Sequence, residues 1–182
     1  FLIILIISLL FFFAYLKFFK KTTTTKSEIN LSDEIIYNSN IIENVNYSTK
    51  DSSGNEYIIN ATQGEIDFSN PNIIFLIDVK ALIKLKDSEN ITIISDYGKY
   101  NSENFDTIFS KNVIINYLDN KITGNYLDFS LERNSMIVSK NVVYTNLENI
   151  LKADVIKVDI KTKDTKIFMY ENEKKVNIKS KD

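Results

Sequence analysis

The side chains with catalytic potential in this chain are carboxylates, because it contains no histidine and no cysteine. Without those residues a Ser-His-Asp or Cys-His nucleophile, a thiol redox pair and the usual zinc ligand sets are all unavailable. Two Asp or Glu side chains could still do acid–base work on a glycoside, but only when a cleft holds them at a set separation. Asp67, Asp96, Asp128 and Asp159 recur near the ends of expected strands. Acidic residues there ordinarily serve turns and strand exits. No catalytic residue, metal site or cofactor is therefore expected, and the chain reads as a non-enzyme.

The elements around those residues are bounded by composition. A chain of 182 residues, 44% hydrophobic and 25% charged, with four glycines and one proline, has room for one anchor and one folded domain. A net charge of −2 and the absence of tryptophan give neither a basic face nor an indole for base stacking, so nucleic acid is not an expected partner. Lack of cysteine is compatible with an oxidising compartment, since a domain of this size can be stable without disulfides. Residues 1–16 read FLIILIISLLFFFAYL, and Phe18 and Phe19 extend the run past Lys17. With Lys17 snorkelling, this is just long enough to span a bilayer. Residues 1–21 are expected to be a transmembrane anchor. A cleaved signal peptide is the alternative, but Lys17, Phe18, Phe19, Lys20 and Lys21 stand where a small-residue cleavage site belongs. The chain begins with Phe, so a charged segment upstream is expected. Residues 22–33 form a polar spacer, and residues 34–182 the domain.

Within that domain two patterns repeat. One is Asn or Asp followed by Val, at Asn44-Val45, Asp78-Val79, Asn112-Val113 and Asn141-Val142, with the valines 34, 34 and 29 residues apart. The other runs Ile59-x-Ala61-x-x-Gly64-x-Ile66, Ile93-x-Ser95-x-x-Gly98-x-Tyr100, Ile122-x-Gly124-x-x-Leu127-x-Phe129 and Leu151-x-Ala153-x-x-Ile156-x-Val158. Inward positions step by two, then three, then two, which is strand alternation broken by one phase change. A bulge or bend does this, and a small residue before it suits a corner where two layers approach. The length change falls in the connection KLKDSEN, longer than its counterpart YLDNK.

Turn signals such as Ser69-Asn70-Pro71-Asn72, Asp87-Ser88-Glu89-Asn90 and Asp119-Asn120-Lys121 separate the strands and imply antiparallel pairs. The expected fold is all-β: an elongated antiparallel jelly roll, two facing sheets of bent strands, after one N-terminal transmembrane helix. Interior-facing candidates from the first half are Ile59, Ala61, Ile66, Val79, Ile93 and Tyr100. From the middle come Ile108, Val113, Ile115, Ile122, Leu127 and Phe129. The last are Ile137, Val142, Tyr144, Leu151, Ile156 and Val158. First and last strands would be open edges, suited to pairing with a neighbour's strand.

The stretches IINATQGEIDF, IISDYGKYNSE and ITGNYLDFS, each followed by a strand ending in Asn/Asp-Val, and the N-terminal apolar run together resemble the LptC family of lipopolysaccharide-export proteins. The resemblance implies a non-enzymatic protein of the inner membrane, single-pass, with its domain in the periplasm. Lipopolysaccharide would be the ligand, its acyl chains lying among the inward residues. Subunits of an inner-membrane ABC transporter would meet the N-terminal edge, with Ile35, Tyr37, Val45 and Tyr47. An LptA-like jelly roll would meet the C-terminal edge, with Ile167 and Met169. LptA-type bridge proteins share the domain and differ mainly in a cleaved signal, so the anchor separates the two. A tethered interaction domain with a filled core is the other alternative. The fourth repeat lacks its Asn-Val, and the charged tail YENEKKVNIKSKD is expected to fray or serve as a docking edge.

Overall fold

The computed structural model describes residues 40–51, 54–86, 88–171, 173 and 175–181. The expected anchor (1–21) and spacer (22–33), together with Ile35 and Tyr37, lie outside the described residues. All described residues belong to one unit, Asn38–Asp182. Among them no helix is long and apolar enough to cross a membrane.

The unit is all-β. Eight long strands follow one another as antiparallel neighbours: β1 (Ile41–Lys50), β2 (Glu56–Ile66), β3 (Ile73–Lys84), β4 (Ile91–Asn101), β5 (Thr107–Tyr117), β6 (Asn120–Ser130), β7 (Ser135–Thr145) and β8 (Asn149–Asp159). Two short strands, β9 (Thr165–Phe168) and β10 (Asn177–Ser180), lie in the segment expected to fray. Both pair with β8, β10 with its first half and β9 with its second. The ladder is one continuous sheet of ten strands rather than two.

That sheet folds back on itself along the row where the repeats change phase. Val45, Ala61, Val79 and Ser95 are successive cross-strand partners, and Val113 pairs with Gly124 and Val142 with Ala153. Odd strands thus supply valine to the fold line and even strands a small residue, which lets the layers approach without collision. The Asn or Asp before each valine has a left-handed backbone: Asn44 at φ 54, Asp78 at 53, Asn112 at 49 and Asn141 at 59. Asn and Asp tolerate this conformation better than other side chains, which explains the first repeat. In β5 and β7 the preceding lysine is left-handed as well, Lys111 at φ 60 and Lys140 at φ 65, and the ladder shifts by a residue at both places. Lys111 Nζ lies 4.9 Å from the Tyr97 ring centre and Lys140 Nζ 5.2 Å from that of Tyr126, covering each bulge from outside.

These bulges correct two sequence expectations. In β5 and β7 the inward positions cross the bend in a step of four, Phe109 to Val113 and Val138 to Val142, because each strand carries an extra residue. Ile108 and Ile137 therefore stand on the outer face and are only half-buried, while Phe109 is 1% and Val138 0% exposed. Of the inward candidates, Ile59, Ala61, Val79, Ile93, Tyr100, Val113, Ile115, Leu127, Phe129, Val142, Leu151 and Ile156 are buried. Ile66, Ile122, Tyr144 and Val158 are half-buried against that core.

Candidate functional site

Contacts across the fold define an interior between the two halves of the sheet. Tyr47 on β1 and Tyr100 on β4 are three strands apart along the ladder, about 14 Å at the usual strand spacing. Their rings nevertheless stack with centroids 4.9 Å apart. Tyr57 on β2 meets Phe129 on β6 at 6.0 Å. The part of the sheet made of second halves of odd strands and first halves of even strands thus faces the other part several strands on, an offset that follows from sheet twist.

Along this interior two stretches differ. In the first, Ile59, Ala81, Ile83 and Ile93 face Tyr100, Phe109 and Phe129, and only about 20 Å³ is left between them. In the second, Ile91, Ile115, Ile122 and Tyr144 face Met136 and Val158 across a cavity of about 650 Å³. The repeat explains the difference. Tyr100, Phe129 and Val158 occupy one position of the second pattern at 29-residue intervals, and Phe109 and Val138, outside that pattern, stand 29 residues apart on the intervening strands β5 and β7. The second and third copies carry an aromatic ring there, whereas the first and last carry Ile66 and Val158, and beside Val158 the space stays open.

The cavity is apolar near the fold line and polar at its mouth. Beyond Ile115 and Ile122 come Tyr117 and Asn120, then Ser88, Lys86 and Asn55. Tyr117 Oη and Ser88 Oγ lie 2.6 Å apart, and Tyr144 donates to Asn120 Oδ1 at 2.6 Å. On the opposite lip stand Ile160, Lys163 and Thr165. A second space of about 460 Å³, lined by Asp51, Tyr57, Asn134 and Lys161, shares Asn55, Leu85, Ile160 and Lys163 with the first. Within it Asp51 accepts from Asn55 N at 2.9 Å, Asn55 Nδ2 at 2.8 Å and Tyr57 Oη at 2.9 Å. Burial of the Tyr57 ring, reinforced by the Asp51 carboxylate it bonds, pushes the phenol up to about 12.

The carboxylates singled out for acid–base chemistry are each occupied locally. Asp67 accepts from the Ser69 hydroxyl at 2.6 Å and is held below the usual carboxylate range by it. Asp96 accepts from Asn112 at 2.8 Å, across the bulge. Asp128 is paired with Arg133 at 2.8 Å. Asp159 accepts from the backbone N–H groups of Thr162 and Lys161, which lower it and close the β8–β9 turn. These are turn and strand fastenings. Among the described residues no three acidic side chains gather where a metal ion could be held.

The profile of the family described as lipopolysaccharide-assembly, LptC-related, matches residues 1–181, essentially the whole chain. The chain belongs to that family. No curated protein matches it. Membership in the LptC family gives the chain a role in lipopolysaccharide transport and assembly. Against that role, eight of the eighteen inward candidates line one or other of the two stretches, and the other ten line neither. Ile115, Ile122, Tyr144 and Val158 line the open one, whereas Ile59, Ile93, Tyr100 and Phe129 line the closed one. Ile91, Met136, Leu85 and Ile160 also wall the cavity and were not among the expected residues. Ile91 and Ile160 flank the strand motifs, and Leu85 lies in a connection, so alternation within the repeats does not reach them.

At the edges of the LptC-family domain, β1 is the first strand in the ladder, and its Val45 and Tyr47 point inward, Val45 only 4% exposed. At the other end Ile167 is exposed on β9, and Met169 lies just past it, half-buried.

Proposed function

We propose that this LptC-family chain is a non-enzymatic lipopolysaccharide-transfer component whose jelly roll carries acyl chains in the open stretch of its interior. The observation that carries the reading is the cavity of about 650 Å³ between Ile115, Ile122 and Tyr144 on one half of the sheet and Met136 and Val158 on the other. Its size lies in the range of ligand sites, roughly 300–1,000 Å³, and its walls are apolar where chains would lie. Residues 1–21 would anchor the chain in the inner membrane, with the domain on the periplasmic side. Lipopolysaccharide would arrive from ABC-transporter subunits at the β1 edge, which among the described strands pairs with β2 alone and so could accept a further strand. It would leave towards an LptA-like jelly roll at the β8–β9 edge.

A photoreactive residue placed at Ile115 tests this in the full chain with the transporter active. Capture of lipopolysaccharide at Ile115, without capture at the surface position Lys121, is the expected result. No capture at Ile115 under those conditions would remove the transfer role at its centre. The reading of the domain as a tethered interaction module draws support from the first stretch, which is filled, and it would then take precedence.

A further inference from the structure

Two lysines stand on opposite lips of the open cavity. Lys86 follows β3 and belongs to the first half of the folded sheet, whereas Lys163 lies in the β8–β9 turn and belongs to the second. Both are fixed through their backbones. The Lys86 N–H donates to Asn55 Oδ1 at 3.1 Å, and Asn55 is held by Asp51 in turn. The Lys163 N–H donates to the Asp159 carbonyl at 2.9 Å in a turn that the Asp159 carboxylate closes. Their ammonium groups have no carboxylate partner among the described residues, whose ion pairs join Lys84 to Glu56 and Arg133 to Asp106 and Asp128. The nearby Lys161 differs, because its charge already acts on Asp159.

Below the lysines the walls grade from a polar rim at Tyr117 and Asn120 to aliphatic side chains at Ile115 and Ile122. A space that is cationic at the mouth and apolar towards the fold matches an amphiphile with an anionic head and hydrocarbon tails. Lysine suits a phosphate as a compact point charge, and two lysines lining one mouth can both serve an anionic head there. Exposure of both side chains leaves such a head in contact with water, so the desolvation cost of a buried charge is not incurred.

We propose that Lys86 and Lys163 together hold the phosphate-bearing headgroup of the lipid whose chains fill this cavity, and so select anionic over neutral amphiphiles. This rests on the cavity being a lipid site, and it adds the groups that read the head. The test uses the full chain reconstituted in phosphatidylcholine vesicles containing a diazirine-bearing lipid, either phosphatidic acid or diacylglycerol, with labelled peptides quantified by mass spectrometry. In the wild-type chain the phosphatidic acid probe is expected to label the cavity-wall strands β6 and β8 more strongly than the diacylglycerol probe. The double substitution K86Q/K163Q should lower labelling by phosphatidic acid by about threefold or more, as for loss of charge-assisted contacts at an exposed site. It should leave labelling by diacylglycerol unchanged. K86R/K163R should restore the anionic preference, and K121Q should have no effect.

Equal labelling by both probes in the wild type, or a K86Q/K163Q chain that keeps its anionic preference, would overturn the headgroup assignment while leaving the cavity a lipid site. If neither probe labels the cavity walls, the lipid site fails and the headgroup assignment fails with it. Both lysines lie on exposed turns, and an unchanged melting temperature of the double variant distinguishes loss of contact from loss of fold.

Discussion

The two stretches of the interior are built from the same repeat and the same ladder, yet one is packed and the other open. In the first, Tyr47 stacks on Tyr100 and Tyr57 meets Phe129, leaving about 20 Å³. In the second, Met136 and Val158 face Ile115 and Ile122 across about 650 Å³. At the shared position of the second pattern the first stretch carries Tyr100 and Phe129 and the second carries Val158. A repeat can therefore use some copies to make a stable body and others to make a binding space. Aromatic rings in the first stretch supply the burial that holds the folded sheet together, and the second stretch forgoes part of it.

The sharpest way to break this comparison is to truncate the same repeat position in both stretches. Tyr100→Ala removes a buried ring and should cost about 3–5 kcal/mol, measured by denaturant unfolding. Val158→Ala, on the cavity wall, should cost about 1 kcal/mol or less, because its side chain already borders space. Similar costs at both positions would mean that the second stretch is packed in solution. Next in size is Gly124→Ala. A Cβ there would lie 2.8 Å from Val138 Cγ1 and 3.3 Å from the Ser139 carbonyl oxygen, across the fold line. A loss of about 1–3 kcal/mol is expected, as for overpacking. A neutral result would show that the fold line has slack.

Filling the open stretch sharpens the comparison from the other side. Val158→Phe gives this position the aromatic that Tyr100 and Phe129 have in the second and third copies and should change stability by less than about 1 kcal/mol, since room exists, whereas Ala81→Phe in the closed stretch should overpack and cost about 1–3 kcal/mol. The same Val158→Phe chain should lose lipopolysaccharide capture. The smallest effect concerns pH. Tyr57 has its folded value raised to about 12 by burial and by Asp51, so its contribution is complete below the ordinary tyrosine value near 10 and is lost as pH rises from there towards 12. Stability of the wild type should decline over that range by a small amount, and Tyr57→Phe should remove that component of the decline. An identical alkaline profile in the variant would place the titration elsewhere.

Much of this fold was legible in the residues. The Asn/Asp-Val pairs and the Ala61, Ser95, Gly124 and Ala153 positions mark the fold line because left-handed backbone and close approach restrict residue type there. Ile108 and Ile137 were misread because a bulge of two left-handed residues, Lys111-Asn112 or Lys140-Asn141, adds a position that alternation alone does not reveal. The open stretch was partly legible. Tyr100, Phe129 and Val158 were visible as one position of the repeat, but whether a smaller side chain leaves space depends on what faces it, and the offset between facing strands comes from sheet twist. Lys86 and Lys163 belong to no motif, and only the folded sheet brings them to one mouth.

The most direct measurement is methyl NMR of the full chain with isoleucine and valine methyls labelled, titrated with lipopolysaccharide bearing a nitroxide on an acyl chain. Strong broadening at Ile115, Ile122 and Val158, with Ile59, Val79 and Ile83 little affected, is the expected result. Broadening that is uniform across both sets, or confined to outer-face residues such as Ile77 and Ile94, would contradict an interior divided into a packed body and an open lipid site.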